Sequence, residues 1–439
     1  MKKFLIYCII IMTAFNIVAQ DKNKLLSVKD MYADLDYYFT NLQDVHPNPF
    51  IVLTKEEFQF KIDSIKQLIT VPLSKKEFYL HITTLNRFTD LHSRIAGSRK
   101  MIKQQNVAYS FPIFSMTDNS IYFYDRDTVK RNVQSINGIA IKDIVEFFMS
   151  RRNLVEVNNE YNFVDILSFY INEHFIDDTI KLITSDNQFK SISFDYPPTK
   201  KGKKGKGKRV YHLETDTVNG VAVFELNTFM PQKIKEQIGF MSMINKVFDT
   251  LRQYNIKRLY IDITCNTGGL IAFEEYLLNH LLYDKQKKVS WDLVLKQSEQ
   301  RKKQRGPFPV IKNGDFYQNR KYFETSNLKN KFKGEVYVIQ SRHSFSAATT
   351  LASQLQTYRK SVVIGEESQL KAVYTDPILI YLPHSKFLFS CATGFVKNVG
   401  INKNKGVIPD ISHKIYNIYA PISVKQAEMM LYNSKKIDN

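Results

Sequence analysis

The stretch SRHSFSAA, which begins at Ser341, places a serine where its position favours chemistry. A strand pattern, GEVYVIQ, precedes it, and an amphipathic helix pattern rich in alanine follows Ser346. The first N–H groups of a helix lack intrahelical partners and lie at the positive end of the helix dipole, so they stabilise developing negative charge. Ser346 is therefore a candidate nucleophile. The alternative is that the alanines only let the helix pack close to a sheet.

A second strand pattern, YIDITCNTGG, ends in two glycines just before another helix pattern. The backbone N–H of Gly268 or Gly269, together with that of Ala347, would form an oxyanion hole beside Ser346. Acyl transfer needs such donors about 3 Å from the developing oxyanion. A simple turn is the alternative interpretation of the two glycines.

A serine nucleophile needs a base, and the sequence offers two candidates. His92 lies in the loop TDLHSRI and is followed by Ser93. Lys371 follows Ser346 by 25 residues in GEESQLKAVY, where apolar neighbours would lower its pKa. The spacing alone leaves both candidates open.

The amino terminus indicates export. The first 20 of the 439 residues combine Lys2 and Lys3, an apolar stretch and a small-residue end, which is typical of a secretory signal peptide. Cys8 lies inside the apolar stretch, so lipidation is not expected. Later in the chain no run of about 18 apolar residues occurs, so no further membrane span is predicted. We expect a periplasmic or extracellular protein.

The formal net charge of +19 falls to +17 when the two signal lysines are removed. Seven of the remaining positive charges lie in one segment with interspersed glycines, Lys200–Arg209, which predicts a solvated loop. No aromatic residues interleave with these lysines, so we expect no nucleic-acid partner, only weak attraction to polyanions or membrane surfaces.

Residue spacings that typically bind metals or nucleotides, such as CxxC, HExxH, GxGxxG and the Walker loop, do not occur in the sequence. We therefore predict no metal and no cofactor. The cysteines after the signal, Cys265 and Cys391, allow one disulfide or two buried free thiols.

The chain divides into regions by pattern. Residues 21–104 predict a helical N-terminal cap, with apolar residues at three-to-four spacing. Residues 105–216 are mainly of β pattern and end with the basic loop at 200–209. Residues 217–439 alternate strands and helices, which predicts an α/β core with a parallel-centred sheet. Ligands of such sheets bind beyond the carboxyl ends of the strands, where the diglycine and Ser346 lie.

Seven segments, in this order, resemble those of the tail-specific, or carboxy-terminal processing, serine proteases and their tricorn-core and interphotoreceptor retinoid-binding relatives. The segments are HPNPF…TKEEF, TDLHSRI, VQSINGIAIKDIVEFF, RLYIDITCNTGG, SFSAATTLASQLQ, VVIGEES and KGVIPDI. The resemblance covers nearly all of the mature chain. It implies an α/β multidomain fold with a PDZ-like middle region, protein or peptide substrates, and Ser346 as nucleophile.

The family has two catalytic branches, and this chain departs from both. The tricorn-like branch uses a histidine, an adjacent hydroxyl and a distant glutamate; His92 and Ser93 match, but Lys403 stands near the place of the glutamate. The processing branch uses a Ser–Lys pair and a glutamine; Lys371 matches, but Thr375 stands at the place of the glutamine.

Thr264 also replaces the family's arginine before the diglycine. The N-terminal cap favours the tricorn-like branch and therefore His92. The sequence thus predicts an exported serine endopeptidase. The alternatives are an impaired protease scaffold that binds a peptide or apolar ligand and, resting on charge alone, a basic surface-binding protein.

Overall fold

The computed structural model describes most of the chain outside its amino terminus and several internal segments. The described residues are 25–97, 114–117, 120–124, 130–151, 154, 170, 174, 179–184, 189–193, 210–230, 234–282, 289–308, 311–323, 328–368, 374–397, 406–415 and 421–435. The predicted signal peptide, the basic loop 200–209, Lys371 and Lys403 lie outside these residues. Within the described part of the chain, no helix has both the length and the apolar composition needed to span a membrane.

The chain forms two compact units. Unit 1 comprises residues 1–154, 163–194 and 378–391, and unit 2 comprises residues 155–162, 195–377 and 392–439. The boundaries of the regions predicted from the sequence stay a prediction.

Unit 1 begins with helices that have strong amino-terminal caps. The helices are α1 (Val28–Val45), α2 (Lys55–Leu68), α3 (Lys75–Ile82) and a 3₁₀ helix (Thr83–Phe88). Thr54 and Ser74 each form a capping box with the glutamate three residues on, so two orphan donors are satisfied at each helix start. The predicted three-to-four spacing is present as a buried face that includes Tyr38, Phe58 and Phe78.

The strands of unit 1 form a largely antiparallel sheet and one short separate pairing. The elements are β1 (Arg94–Ala96), β2 (Phe114–Thr117), β3 (Ser120–Tyr124), β4 (Lys130–Ile136), β5 (Ile139–Ala140), α4 (Ile141–Arg151), β6 (Thr179–Thr184) and β7 (Phe189–Ser193). The sheet order is β2-β3-β4-β6-β7, with β5 on β4. Asn137 and Gly138 turn the chain with φ angles of 50° and 80°, as the Asn-Gly pair predicts.

Unit 2 contains the predicted parallel-centred sheet. Its strands are β8 (Tyr211–Asp216), β9 (Val221–Leu226), β10 (Arg258–Asp262), β13 (Glu335–Gln340), β14 (Val362–Gly365) and β17 (Ile411–Ser412). The order is β17-β14-β13-β10-β9-β8, and only the β8–β9 pair is antiparallel. Residues that are fully buried along β9 and β10 explain why these strands are near-continuous apolar runs in the sequence.

Helices connect and cover the strands of unit 2. They are α5 (Ile234–Gln253), α6 (Ile271–Leu281), α7 (Glu299–Arg305), α8 (Ala347–Gln354) with a π-helical turn (Leu355–Arg359), and α9 (Val424–Lys435). Apolar side chains of α5, α6 and α8 share one core with β9, β10 and β13, which fixes the ends of these strands relative to the helix starts.

Between residues 285 and 333 the structure departs from the predicted alternation of strands and helices. This segment contains β11 (Val289–Lys296) and β12 (Phe316–Phe323), which pair antiparallel along their whole length. Farther along, β15 (Tyr374–Tyr381) pairs with β16 (Leu388–Lys397), and the end of β16 pairs with β11.

Candidate active site

Two loops of unit 2 meet beyond the carboxyl ends of the parallel strands. The loop after β13 carries Ser346, and the loop after β10 carries the two glycines. The Phe345 N–H donates to the Asn266 carbonyl at 3.0 Å, and the Ser344 hydroxyl donates to the Ile263 carbonyl at 2.8 Å. The diglycine and the serine are therefore neighbours, as the sequence predicts for adjacent parallel strands.

Ser346 has an unusual backbone conformation. Its φ is 55° and its ψ is −123°, outside the regions that residues with a side chain ordinarily adopt. A conformation of this kind costs about 1–3 kcal/mol and persists only where its surroundings enforce it. A strained serine in a sharp strand-to-helix turn is the geometry of a nucleophile elbow, which lifts the hydroxyl out of the turn.

Hydrogen bonds on both sides of Ser346 enforce this turn. The Thr350 N–H donates to the Ser346 carbonyl at 3.0 Å, so the serine is the residue that starts α8. The Ala348 N–H donates to the Phe345 carbonyl at 3.1 Å, and the Thr349 hydroxyl donates to the Ser344 carbonyl at 3.1 Å. The hydroxyls of Ser344 and Thr349 thus help to hold the turn.

Gly268 lies directly against the serine turn. Its φ is +88°, and a Cβ built on it would lie 2.6 Å from the Phe345 carbonyl oxygen, 2.7 Å from Ser346 Cβ and 2.9 Å from Ala347 N. Only a residue without a side chain leaves that space open. The N–H of Gly268 itself donates to the Asn266 side-chain oxygen at 2.8 Å, so it is already engaged in the loop.

The N–H of Gly269 has a different direction. The Gly268 carbonyl accepts from Phe229 N at 2.9 Å, and the Leu270 N–H donates to the Phe229 carbonyl at 2.8 Å. The peptide between the two glycines is trans, so its N–H points opposite to its carbonyl and therefore away from Phe229. Of the two glycines, Gly269 is the better donor for an oxyanion hole. Ala347 supplies the first amide of α8, a position that has no intrahelical acceptor.

If the site performs acyl transfer, replacing Gly268 with alanine should reduce turnover at least about 10²-fold, since the new methyl group would occupy the space in front of Ala347 N. Steady-state kinetics on the folded variant would measure this loss. The control is Gly239→Ala in α5, where a Cβ meets nothing within 4 Å and turnover should not change. Equal turnover in Gly268→Ala and Gly239→Ala would mean that the diglycine is only a turn.

A buried carboxylate accepts a hydrogen bond from the start of the glycine loop. Asp262, at the end of β10, accepts the Thr264 N–H at 2.9 Å. Burial raises the pKa of Asp262 to about 6, the Thr264 hydrogen bonds oppose that shift, and the charge of Glu225 adds to it. Asp262 therefore changes charge in mildly acidic solution, so its titration must be separated from that of a catalytic base.

Unit 1 contains the histidine candidate beside a second histidine. The Asp90 carboxylate accepts two hydrogen bonds. His46 Nε2 lies 2.8 Å from Oδ2, and the His92 backbone N–H donates to Oδ1 at 2.7 Å. The ring nitrogen Nδ1 of His92 lies 3.9 Å from the same Oδ1, and the Ser93 hydroxyl also hydrogen-bonds this carboxylate. Burial lowers the pKa of His92, and the Asp90 carboxylate opposes that shift.

The predicted site residues fall into three sets. Gly268, Gly269, Ser346 and Ala347 come together in unit 2. His92 and Ser93 come together in unit 1, around Asp90. Lys371 lies outside the described residues, so its role as a base stays a prediction.

The departures from the family pattern have identifiable places. Thr264, which replaces the family's arginine, is buried in the glycine loop, and Thr375 lies on β15.

Cys265 and Cys391 are both free thiols, and the Cys265 thiol contacts the Asn227 side-chain oxygen at 2.8 Å. Among the described residues, no group of three or more His, Cys, Asp or Glu side chains could hold a metal ion.

Sequence reasoning missed two organising residues. Asn266 holds the glycine loop, because its side chain accepts from Gly268 N and donates to the Leu226 carbonyl at 2.9 Å. An asparagine two residues before a glycine is a sequence signal for such a local turn. His46 holds Asp90, and no local signal links these two, which are 44 residues apart.

Comparison with known proteins finds similarity over the part of the chain that contains these loops. The model of Peptidase family S41 matches residues 220–413. A curated relative, the Tail-specific protease of Haemophilus influenzae, is 23% identical over 158 residues, which is 36% of this chain and only 18% of that protein. The chain thus spans less than a fifth of the curated relative that it matches.

The fold is similar to solved structures at low sequence identity. The crystal structure of mature CPAF aligns with a TM-score of 0.57 and 11% identity, covering 93% of this chain and 97% of that one. The structure of mature CPAF complexed with lactacystin aligns with a TM-score of 0.56 and 12% identity, covering 93% and 98%. The diglycine loop and the serine turn both lie within residues 220–413, the part of the chain that the model of Peptidase family S41 matches.

Proposed function

We propose that the protein is an exported serine endopeptidase that hydrolyses peptide bonds through an acyl-enzyme on Ser346. The observation that carries this proposal is the strained Ser346 at the start of α8, with Gly268 packed against it so closely that no side chain fits between them. Strain of this kind concentrates at functional sites, because ordinary packing gains nothing from it.

The reaction would proceed in two stages. The Ser346 oxygen attacks the carbonyl carbon of the scissile bond while its proton passes to a base. The N–H groups of Gly269 and Ala347 stabilise the negative charge that develops on the carbonyl oxygen. The C–N bond then breaks, and the base returns the proton to the leaving amine. Water, deprotonated by the same base, cleaves the serine ester and releases the acid.

We favour His92 as the base, and Lys371 is the alternative. The support for His92 is its carboxylate neighbour: Asp90 lies 3.9 Å from Nδ1, so it can stabilise the imidazolium formed when the histidine takes a proton. The support for Lys371 is its place in the sequence. The Peptidase family S41 domain implies protein or peptide substrates, and the pattern of residues 1–20 supports export to the periplasm or beyond.

A second candidate function is a peptide- or ligand-binding scaffold that has lost turnover. The observation in its favour is the sequence itself, in which Lys403 stands near the place of the family's glutamate and Thr375 at the place of its glutamine. Such a protein would keep the cleft and the oxyanion donors but transfer protons poorly.

The pH dependence of turnover should identify the base. His92 must be neutral to accept a proton, and burial lowers its pKa. If it is the base, the acidic limb of kcat/KM should therefore lie below pH of about 6.5, the ordinary value for histidine. The measurement is a profile of kcat/KM at about ten pH values between about pH 4 and pH 9.

Because Asp262 also titrates with a pKa of about 6, the control for this profile is Asp262→Asn. The limb should keep its position in this variant even if turnover falls. A limb that disappears in Asp262→Asn would assign it to the loop carboxylate rather than to His92.

The proposal itself is tested by incubating the purified chain from residue 21 onward with an unstructured polypeptide and analysing the products by mass spectrometry. We expect internal cleavage that requires Ser346. Binding of the polypeptide without cleavage, on protein with a cooperative melting transition, would favour the scaffold.

A further inference from the structure

The Asp90 carboxylate is the centre of a buried polar cluster in unit 1. It is 3% exposed and accepts hydrogen bonds from His46 Nε2, the His92 backbone and the Ser93 hydroxyl. A buried charge persists only when such partners satisfy it. Burial would raise the pKa of Asp90, but the hydrogen bond from His46 together with the other partners holds it below its usual range.

The hydrogen-bond network assigns the proton on His46. Its Nδ1 accepts the Asn48 backbone N–H at 3.0 Å, so Nδ1 must carry a lone pair. Its Nε2 then carries the hydrogen and donates it to Asp90 Oδ2 at 2.8 Å. The His46 ring, which is 1% exposed, is thus fixed in one orientation by a backbone donor on one side and a carboxylate on the other.

His92 lies beside the same carboxylate. Its Nδ1 edge faces Asp90 Oδ1 at 3.9 Å, and its own backbone N–H bonds that oxygen. The Ser390 hydroxyl donates to the His92 carbonyl at 2.7 Å and fixes the loop from the other side. Nε2 is on the opposite edge of the ring, which is the nitrogen that a serine-activating histidine uses.

We infer that His46 is a positioning residue: it fixes the Asp90 carboxylate beside His92, the proposed general base, and its hydrogen bond moderates the negative charge that Asp90 presents to that histidine. This inference rests on the proposed function. In the family that the sequence resembles, a distant glutamate supports the histidine, and here Lys403 stands near its place. Asp90 supplies a carboxylate from the histidine's own loop, and His46 makes that carboxylate rigid.

Several other groups face this pair and contribute to its charge balance. Arg94, on β1, lowers the pKa of His92 by charge, after burial and against Asp90. Tyr38, on α1, and Cys391, on β16, lie near Asp90, and burial together with these neighbours keeps the Tyr38 phenol protonated by raising its pKa. None of these groups changes when His46 is replaced, so they are constant in the comparison below.

The test compares His46→Leu, which removes the donor, with His46→Gln, whose side-chain amide can still donate to Asp90. In His46→Leu, the His46 hydrogen bond no longer offsets the negative charge of Asp90. Asp90 therefore attracts a protonated His92 more strongly. The His92 backbone N–H and the Ser93 hydroxyl still donate to Asp90 in both variants and favour its ionised form. The pKa of His92 should therefore rise by about one unit in His46→Leu and stay close to its starting value in His46→Gln.

Two readouts distinguish failure of this inference from failure of the proposed function. NMR titration of the His92 imidazole in the Ser346→Ala background measures the pKa without turnover. Kinetics in the active chain should show the acidic limb of kcat/KM moving up by the same amount, so that kcat/KM at low pH falls about tenfold in His46→Leu with little change in KM. Melting curves establish that both variants are folded.

Each outcome decides the inference. The inference is supported if the pKa of His92 and the acidic limb of kcat/KM rise by the same amount in His46→Leu and both stay near their starting values in His46→Gln. An unchanged pKa in folded His46→Leu, or equal effects of leucine and glutamine, overturns it. A shifted pKa with an unmoved limb also overturns it, because His46 would then position a histidine that is not the base. Failure of the proposed function would appear separately, as turnover that does not need Ser346.

Discussion

Replacing Ser346 with alanine should abolish peptidase activity and leave the fold intact. The hydroxyl is the only proposed nucleophile, and removing one oxygen from a partly exposed turn costs little packing. Residual turnover should not exceed the contribution of the oxyanion donors and of substrate binding alone. The measurement is steady-state cleavage of a peptide substrate, with circular dichroism to confirm folding. Normal turnover in Ser346→Ala would exclude catalysis at this site.

The same position should show a trade between stability and activity. Glycine adopts a φ of 55° and a ψ of −123° without the strain that any side chain suffers there. Ser346→Gly should therefore be inactive like Ser346→Ala but more stable than it by about 1 kcal/mol, which urea unfolding can measure. If Ser346→Gly is less stable than Ser346→Ala, the turn is not strained in solution.

Loss of the base should cost about 10²–10⁴-fold in kcat, the range for one general base. If His92 is the base, His92→Ala shows this loss and Lys371→Ala changes kcat only slightly. If Lys371 is the base, the pattern reverses. The two substitutions are measured side by side on the same substrate at saturating concentration.

The control for surface charge is Lys386→Ala, an exchange on an exposed lysine whose ammonium contacts only the Pro383 carbonyl among the described residues. Its kcat should not change. Small effects of both His92→Ala and Lys371→Ala, with Ser346→Ala still inactive, would contradict both base assignments and require a different proton acceptor.

The sequence was sufficient to predict which loops of unit 2 meet at the candidate site. Buried parallel strands are short apolar runs, and the polar or glycine residues at their ends must lie at one edge. That reasoning placed the diglycine of β10 beside the serine after β13, and the structure confirms this contact through Gly268 and Ser346. The family match supports the same domain over residues 220–413.

The antiparallel additions to the core could not be predicted in the same way. In this segment, which is rich in lysine and glutamine, β12 (FYQNRKYF) has no clean alternation of apolar and polar residues, and the alternation in β11 (VSWDLVLK) does not indicate the strands with which it pairs. Their stability comes from pairing with each other, and from the pairing of β11 with β16, a strand more than 90 positions farther along the chain. Long-range pairing of this kind leaves no local pattern to detect.

The details that prepare the site for chemistry were also beyond the sequence. Nothing in SFSAA indicates that Ser346 must take a positive φ, because serine is common at helix starts with ordinary dihedral angles. The engagement of the Gly268 N–H by Asn266, which leaves Gly269 as the better oxyanion donor, depends on the direction of one peptide plane. The contact between His46 and Asp90 depends on how the loops at both ends of the helical region fold together.

Covalent labelling with a fluorophosphonate tests the central claim most directly, because the reagent reacts only with a serine that an oxyanion hole and a base activate. The adduct is located by mass spectrometry of the digested protein. We predict one adduct on Ser346, none on Ser341 or Ser344 in the same peptide, and no labelling of unfolded protein. Folded protein that stays unlabelled, or an adduct on another serine, would contradict the account.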